Sequence, residues 1–133
     1  MAVNIMWFRR DLRLHDNAAL YHALKASSPV IPIFIFDKYI LNQLEDKQDR
    51  RVEFIHAALE EMNAELGHLN STIQVYHDYP ENVFRQLLSE QEINTVFTNH
   101  DYEPYAIERD EKIKKLLQES GVEFKTFKDQ VIF

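Results

Sequence analysis

The chain has 133 residues, 45% of them hydrophobic and 28% charged, with 2 Gly and 4 Pro; this is one packed domain burying roughly two-thirds of its unfolded surface, with no room for a second full domain. Cysteine is absent, which excludes disulfides, thiolate zinc sites and cysteine nucleophiles and makes a reducing, cytoplasmic compartment the expectation. Fifteen basic against 22 acidic side chains give a net charge of -7, so the chain as a whole repels a DNA duplex, and no run of about 20 apolar residues or signal-peptide pattern marks a membrane segment.

Val3 to Phe8 opens the chain as an apolar, β-branched and aromatic run that predicts a strand. Leu20, Tyr21 and Leu24 predict a helix after Asp16, and Val30 to Phe36 a second strand. Val52, Ile55, Leu59, Met62 and Leu66 then trace one helical face, widened by Phe54 and Ala58, with Asp49 as N-cap and Gly67 as a left-handed C-terminal cap. Thr72 to Tyr76 is the third strand. Pro80 starts the helix carrying Val83, Phe84, Leu87 and Leu88.

Thr95 to Thr98 is the fourth strand, and the last helix has Pro104 in its first turn, Ile113, Leu116 and Leu117 on its apolar face and Gly121 at its end, before a fifth strand from Val122 to Phe127. Strands alternating with helices predict an α/β fold: a three-layer, doubly wound sandwich on a five-stranded parallel sheet with four or five helices, a single domain. The apolar end Val131, Ile132 and Phe133 reads either as an edge segment packing back on the sheet or as a cut at a domain boundary.

In such a sheet ligands collect at the carboxyl ends of the strands. Arg9, Arg10, Asp11, Arg13 and Asp16 crowd the loop after strand one, where guanidinium groups either pin the loop through carboxylates or face an anionic or planar ligand; on chemistry alone pinning takes precedence. Asn99 to Tyr105 gathers donors, two carboxylates and two rings, which suits a pocket for a flat ring and equally suits capping of the next helix by Asp101 or Glu103.

The six histidines lack metal-ligand spacing, the serines lack a nucleophile elbow, and Gly67 and Gly121 are too far apart for a P-loop or a dinucleotide fingerprint. Asp101 and Glu103 as an acid–base pair have no accompanying substrate grip. Trp7 and Phe8 read as core.

The run Met6-Trp7-Phe8-Arg9-Arg10-Asp11-Leu12-Arg13-Leu14-His15-Asp16-Asn17 resembles the N-terminal signature of the DNA photolyase and cryptochrome family. Asn99-His100-Asp101-Tyr102-Glu103-Pro104-Tyr105, followed by Arg109-Asp110, is similar to the family's strand-four loop, and Phe127 to Val131 to the end of its N-terminal domain. The resemblance implies that residues 1–133 form a Rossmann-like antenna-pigment domain, with no catalytic or metal-binding residue of its own. The resemblance further implies a helical domain, expected to bind FAD and DNA, that is absent from these 133 residues.

The implied parent uses blue light to split pyrimidine dimers, as a carbon–carbon lyase. The alternatives are a cryptochrome-type photosensor, a pigment-free structural domain and a small self-contained nucleotide-binding domain. The implied partners are the helical domain and, through it, DNA, with no membrane; the fragment alone is expected to be inactive.

Tyr105-Ala106 replaces the Asn-Glu pair of the folate-binding type, and no His lies between Asp37 and Phe54, so methenyltetrahydrofolate is disfavoured against a deazaflavin or flavin. By the same resemblance the antenna pigment is expected to meet Arg9, Arg10, Asp11, Phe36, Arg51, Phe54, Asp101, Tyr102 and Glu103, stacking on Phe36 while Arg51 or Arg10 meets its charge and Asp101 accepts its hydrogen bonds.

Overall fold

A computed structural model of the chain describes residues 2–9, 11–41, 50–67 and 71–128. The strands are β1 (Val3–Phe8), β2 (Val30–Asp37), β3 (Gln74–Asp78), β4 (Ile93–Asn99) and β5 (Glu123–Phe127), and the helices are α1 (Ala18–Lys25), α2 (Lys38–Leu41), α3 (Arg50–Gly67), α4 (Pro80–Glu90) and α5 (Pro104–Glu119). All strand pairs are parallel, in the order β3-β2-β1-β4-β5, which is the doubly wound α/β arrangement predicted from the alternation of elements. Among the described residues no helix is long and apolar enough to cross a membrane.

Successive side chains of a strand face opposite sides of the sheet, so the apolar run of central β1 serves two cores at once. Ile5 and Trp7 join Ile33, Ile35 and Val96 beneath Val83, Phe84 and Leu87 of α4 and Ile113 and Leu117 of α5. Met6 and Phe8 join Phe34, Phe36 and Phe97 beneath Ala19, Leu20 and Ala23 of α1 and Leu59, Met62 and Leu66 of α3. Pro32 is accommodated in β2 one residue before pairing with β3 begins at Ile33.

Several local expectations shift. The cap of α1 is Asn17, whose side chain accepts from Leu20 N, while Asp16 takes a positive φ of 50°. Tyr21 and Leu24 are exposed; the buried face of α1 is Ala19, Leu20 and Ala23, its two alanines letting the short helix lie close to the sheet. Phe54 is 75% exposed and so stands outside the α3 stripe it was expected to widen.

Gly67 is the last helical residue and has no positive φ, whereas Gly121 (φ 76°) turns the chain out of α5, with its own N–H and that of Val122 donating to Gln118 O and Leu117 O. Asp49 and Val131 to Phe133 lie outside the described residues.

Phe84 is fully buried and meets Trp7 edge-on at 5.1 Å. Phe84→Ala is therefore expected to cost about 3–5 kcal/mol, read as a lower urea midpoint with little change in slope.

Candidate functional site

Backbone pairing between β1 and β4 ends at Met6 and Phe97, and beyond it side chains hold the two strands together. Thr98 Oγ1 donates to Trp7 O at 2.8 Å, and the Arg9 guanidinium donates through Nη2 to the Asn99 carbonyl. Nη1 of Arg9 reaches both carboxylate oxygens of Asp110 on α5, at 2.6 and 2.7 Å. Asn99 Nδ2 donates to Asp11 Oδ2 and to Asn17 Oδ1 (2.8 Å), and its Oδ1 accepts from Ala19 N at 2.9 Å. Asp11 Oδ1 accepts from Arg9 N at 2.7 Å.

Where strand order reverses, these polar groups thus bond to one another. Arg9 and Asp11, two of the expected pigment contacts, spend their polar atoms there. Arg13 donates to the Asp16 carbonyl through Nε and Nη2.

Asp37, buried at the end of β2, accepts from Tyr39 N (2.9 Å) and Tyr105 OH (2.7 Å) and pairs with Arg109 Nη1 at 3.5 Å. Burial, followed by the hydrogen bond and charge of Asp37, holds the Tyr105 hydroxyl well above the usual tyrosine range. The hydrogen bond to Glu81 raises Tyr39, and bonds from Tyr79 N and Asn82 lower Asp78. Arg109 is buried, and its Nε and Nη2 have no hydrogen-bond acceptor; its guanidinium carbon lies 5.0 Å from the Trp7 ring centre and 5.7 Å from that of Tyr105.

Sequence reasoning assigned Asp37, Tyr105 and Arg109 no part in such a hub. The spacing Ala106, Arg109, Ile113 and Leu117, which puts a charge on the buried stripe of α5, is the signal that finds it.

Phe36 faces the α3 side, 4% exposed, with the His77 ring stacked at 4.5 Å and 9° and the His56 ring at 4.8 Å and 30°. The two imidazoles are 6.4 Å apart, too close together to clamp the phenyl ring from opposite faces, and they form an exposed shelf beside it. Ring-on-ring stacking is already realised there, which is the contact a planar pigment requires.

Phe54 is separated from His56 by roughly 200° around the helix and so does not share this shelf. Asp101 belongs to the other side. With His100, Lys114, Phe124 and Thr126 it lines a cleft of ≈ 170 Å³ between α5 and β5, smaller than the roughly 300–1,000 Å³ of ligand pockets. Tyr102 is 66% exposed, and Glu103 sits at the N-cap of α5 without a capping bond from its side chain, although Asp101 Oδ1 accepts from Glu103 N at 3.1 Å. Among the described residues, Phe36 does not line the cleft that Asp101 lines. Arg10 and the side chain of Arg51 lie outside the described set.

Residues 4–133 match the family model described as DNA photolyase. The chain belongs to the DNA photolyase family. It is 37% identical over 124 residues to cryptochrome-1 of Spalax judaei, a match covering 92% of this chain and 21% of that protein, and 37% identical over 120 residues to cryptochrome-2 of Gallus gallus, covering 90% and 20%. The chain spans about a fifth of the length of these relatives.

Among solved photolyases, that of the archaeon Sulfolobus tokodaii, a structure with two FAD molecules that implicates a novel light-harvesting cofactor, superposes with a TM-score of 0.82 at 37% identity, over 94% of this chain and 29% of that one. A class III photolyase from Agrobacterium tumefaciens superposes at 0.84 and 30% identity, over 96% and 26%. A cryptochrome of Synechocystis shares the fold, with a TM-score of 0.87 at 22% identity over 96% and 27%.

The raised Tyr105 pKa has a definite sign. Below about pH 10 the phenol is protonated whether folded or unfolded, and above it the unfolded chain ionises first, so stability falls as pH climbs. Tyr105→Phe should cost about 1 kcal/mol at pH 8 and flatten the decline between pH 9 and 11, measured by urea denaturation across that range.

Proposed function

We propose that this chain is the antenna-pigment domain of a light-using protein of the family, seating a deazaflavin or flavin, in preference to methenyltetrahydrofolate, on the shelf of Phe36, His56 and His77. The observation that carries this reading is the 37% identity to an archaeal photolyase whose structure holds two FAD molecules. The bound pigment supplies absorption of light and passes its excitation onward. The chain's own part is to stack the ring, shield one face from water and hold it still on a rim that the Arg9 and Asn99 network makes rigid.

The parent is proposed to bind FAD in a helical domain that packs on this one, to reach DNA through that domain, and to split pyrimidine dimers. A photosensor is the second reading, favoured by the curated relatives, which are cryptochromes. Either parent is expected in the cytoplasm or another reducing compartment.

The test uses the full-length protein containing this chain, purified from a host that makes deazaflavin and from one that does not. A visible absorption band beyond that of FAD, or more than one flavin released per chain, in one preparation or both, supports the antenna reading. His77→Ala, at an exposed ring, should lower pigment occupancy about fivefold while leaving the melting temperature within a degree or two. A full-length protein carrying FAD and no second chromophore from either host would refute the reading, and failure to repair dimers under blue light would refute the lyase half.

A further inference from the structure

We propose that Arg9 and Arg109 hold Trp7 as a poor electron donor, so that an excited pigment on the rim passes its energy on instead of taking an electron from the chain; this rests on the antenna reading above. Trp7 is the single tryptophan of the sequence and is 1% exposed. Two guanidinium carbons stand over its ring, that of Arg9 at 4.9 Å and that of Arg109 at 5.0 Å from the centroid. Arginine keeps its charge at every pH at which the fold survives.

A cation over an electron-rich ring is attracted to the neutral indole and repelled by the indole radical cation, so both arginines make removal of an electron harder. Asp110 and Asp37 offset part of this field. They bind the guanidinium nitrogens, at 2.6 Å for Arg9 and 3.5 Å for Arg109, while the cations themselves lie against the ring.

Packing alone does not account for Arg109. Its Nε and Nη2 are buried without a hydrogen-bond acceptor, although Nε is 3.5 Å from Asp110 Oδ1, and burying such donors is costly. What the guanidinium meets besides its two carboxylates is the faces of Trp7 and Tyr105.

The indole lies across the sheet from the proposed pigment shelf, its ring on the α4 and α5 face and that of Phe36 on the α3 face, so the sheet is the medium between them. Trp7 is opposite Ile33 on the neighbouring strand, and Phe36 is three residues further along; three strand rises and one inter-strand spacing put their α-carbons roughly 11 Å apart. The suppressed reaction is a one-electron transfer. Indole and excited pigment would become an indole radical cation and a one-electron-reduced pigment, with no bond broken, and recombination would dissipate the photon as heat.

The first measurement uses the 133-residue chain, with freely diffusing riboflavin as the photo-oxidant and the tryptophan radical followed by flash absorption. Trp7→Phe identifies the signal by abolishing it. Arg109→Gln combined with Asp37→Asn removes one cation together with its carboxylate and leaves the net charge unchanged. It should raise the rate of Trp7 oxidation at least threefold at equal folded content by circular dichroism, and Arg109→Lys should stay near the wild-type rate.

If that double variant does not fold, Arg9→Gln with Asp110→Asn gives the same readout. Equal rates in wild type and variant would overturn the proposal. The second measurement is the fluorescence lifetime of the pigment in the full-length protein, expected to shorten in the double variant and recover when Trp7→Phe is added. A faster Trp7 oxidation in a protein that carries no antenna pigment would uphold the electronic role of the arginines and defeat the antenna reading alone.

Discussion

The guanidinium of Arg9 fastens the molecule where its sheet reverses direction. Parallel pairing of β1 with β4 ends two residues short of Phe8, and from there the strands are free to splay. Arg9 closes that gap with a two-oxygen contact to Asp110 of α5 and a bond to the Asn99 carbonyl, while Asn99 carries the connection on to Asp11, Asn17 and the first turn of α1. One buried cation thereby joins the central strand, its neighbour and a helix. Removing either member of a buried pair leaves the other charge uncompensated, which is why the arrangement constrains the rim so strongly.

In a doubly wound sheet the reversal point is the usual ligand crevice, and here the polar groups on its rim bond to one another. Among the described residues, the aromatic shelf around Phe36 lies towards α3, and the cleft beside Asp101, too small for a tricyclic ring, lies towards β5. Arg9 also stands over the ring of Trp7, so the residue that locks the rim touches the single indole of the sequence.

The central architecture was legible because β1, β2 and β4 are buried on both faces and read as nearly unbroken apolar runs. Edge strand β3 was placed two residues early. Ile73, just outside it, carries the buried contact, and the register is set by β2 out to the Asp37–Asp78 pair, which hydrophobicity does not mark. Tyr21, Leu24 and Phe54 misled because an exposed aromatic or leucine looks the same in sequence as a buried one.

At the site, the crowding of charge after β1 signalled importance, and pinning, the part chemistry alone put first, is the part Arg9 and Asp11 play in the fold. Arg109 was hidden for the opposite reason: a single charge on a helical stripe reads as an interruption until its partners Asp37 and Trp7, 72 and 102 positions earlier in the chain, are brought beside it.

The account turns on whether Arg9 and Asp110 act as one unit. A double-mutant cycle with Arg9→Gln, Asp110→Asn and the pair together, each followed by urea denaturation, measures this directly. A coupling energy of about 2 kcal/mol or more is predicted, with the double variant more stable than the sum of the single losses implies. A coupling below about 0.5 kcal/mol, as exposed ion pairs give, would show that the rim is held by something else.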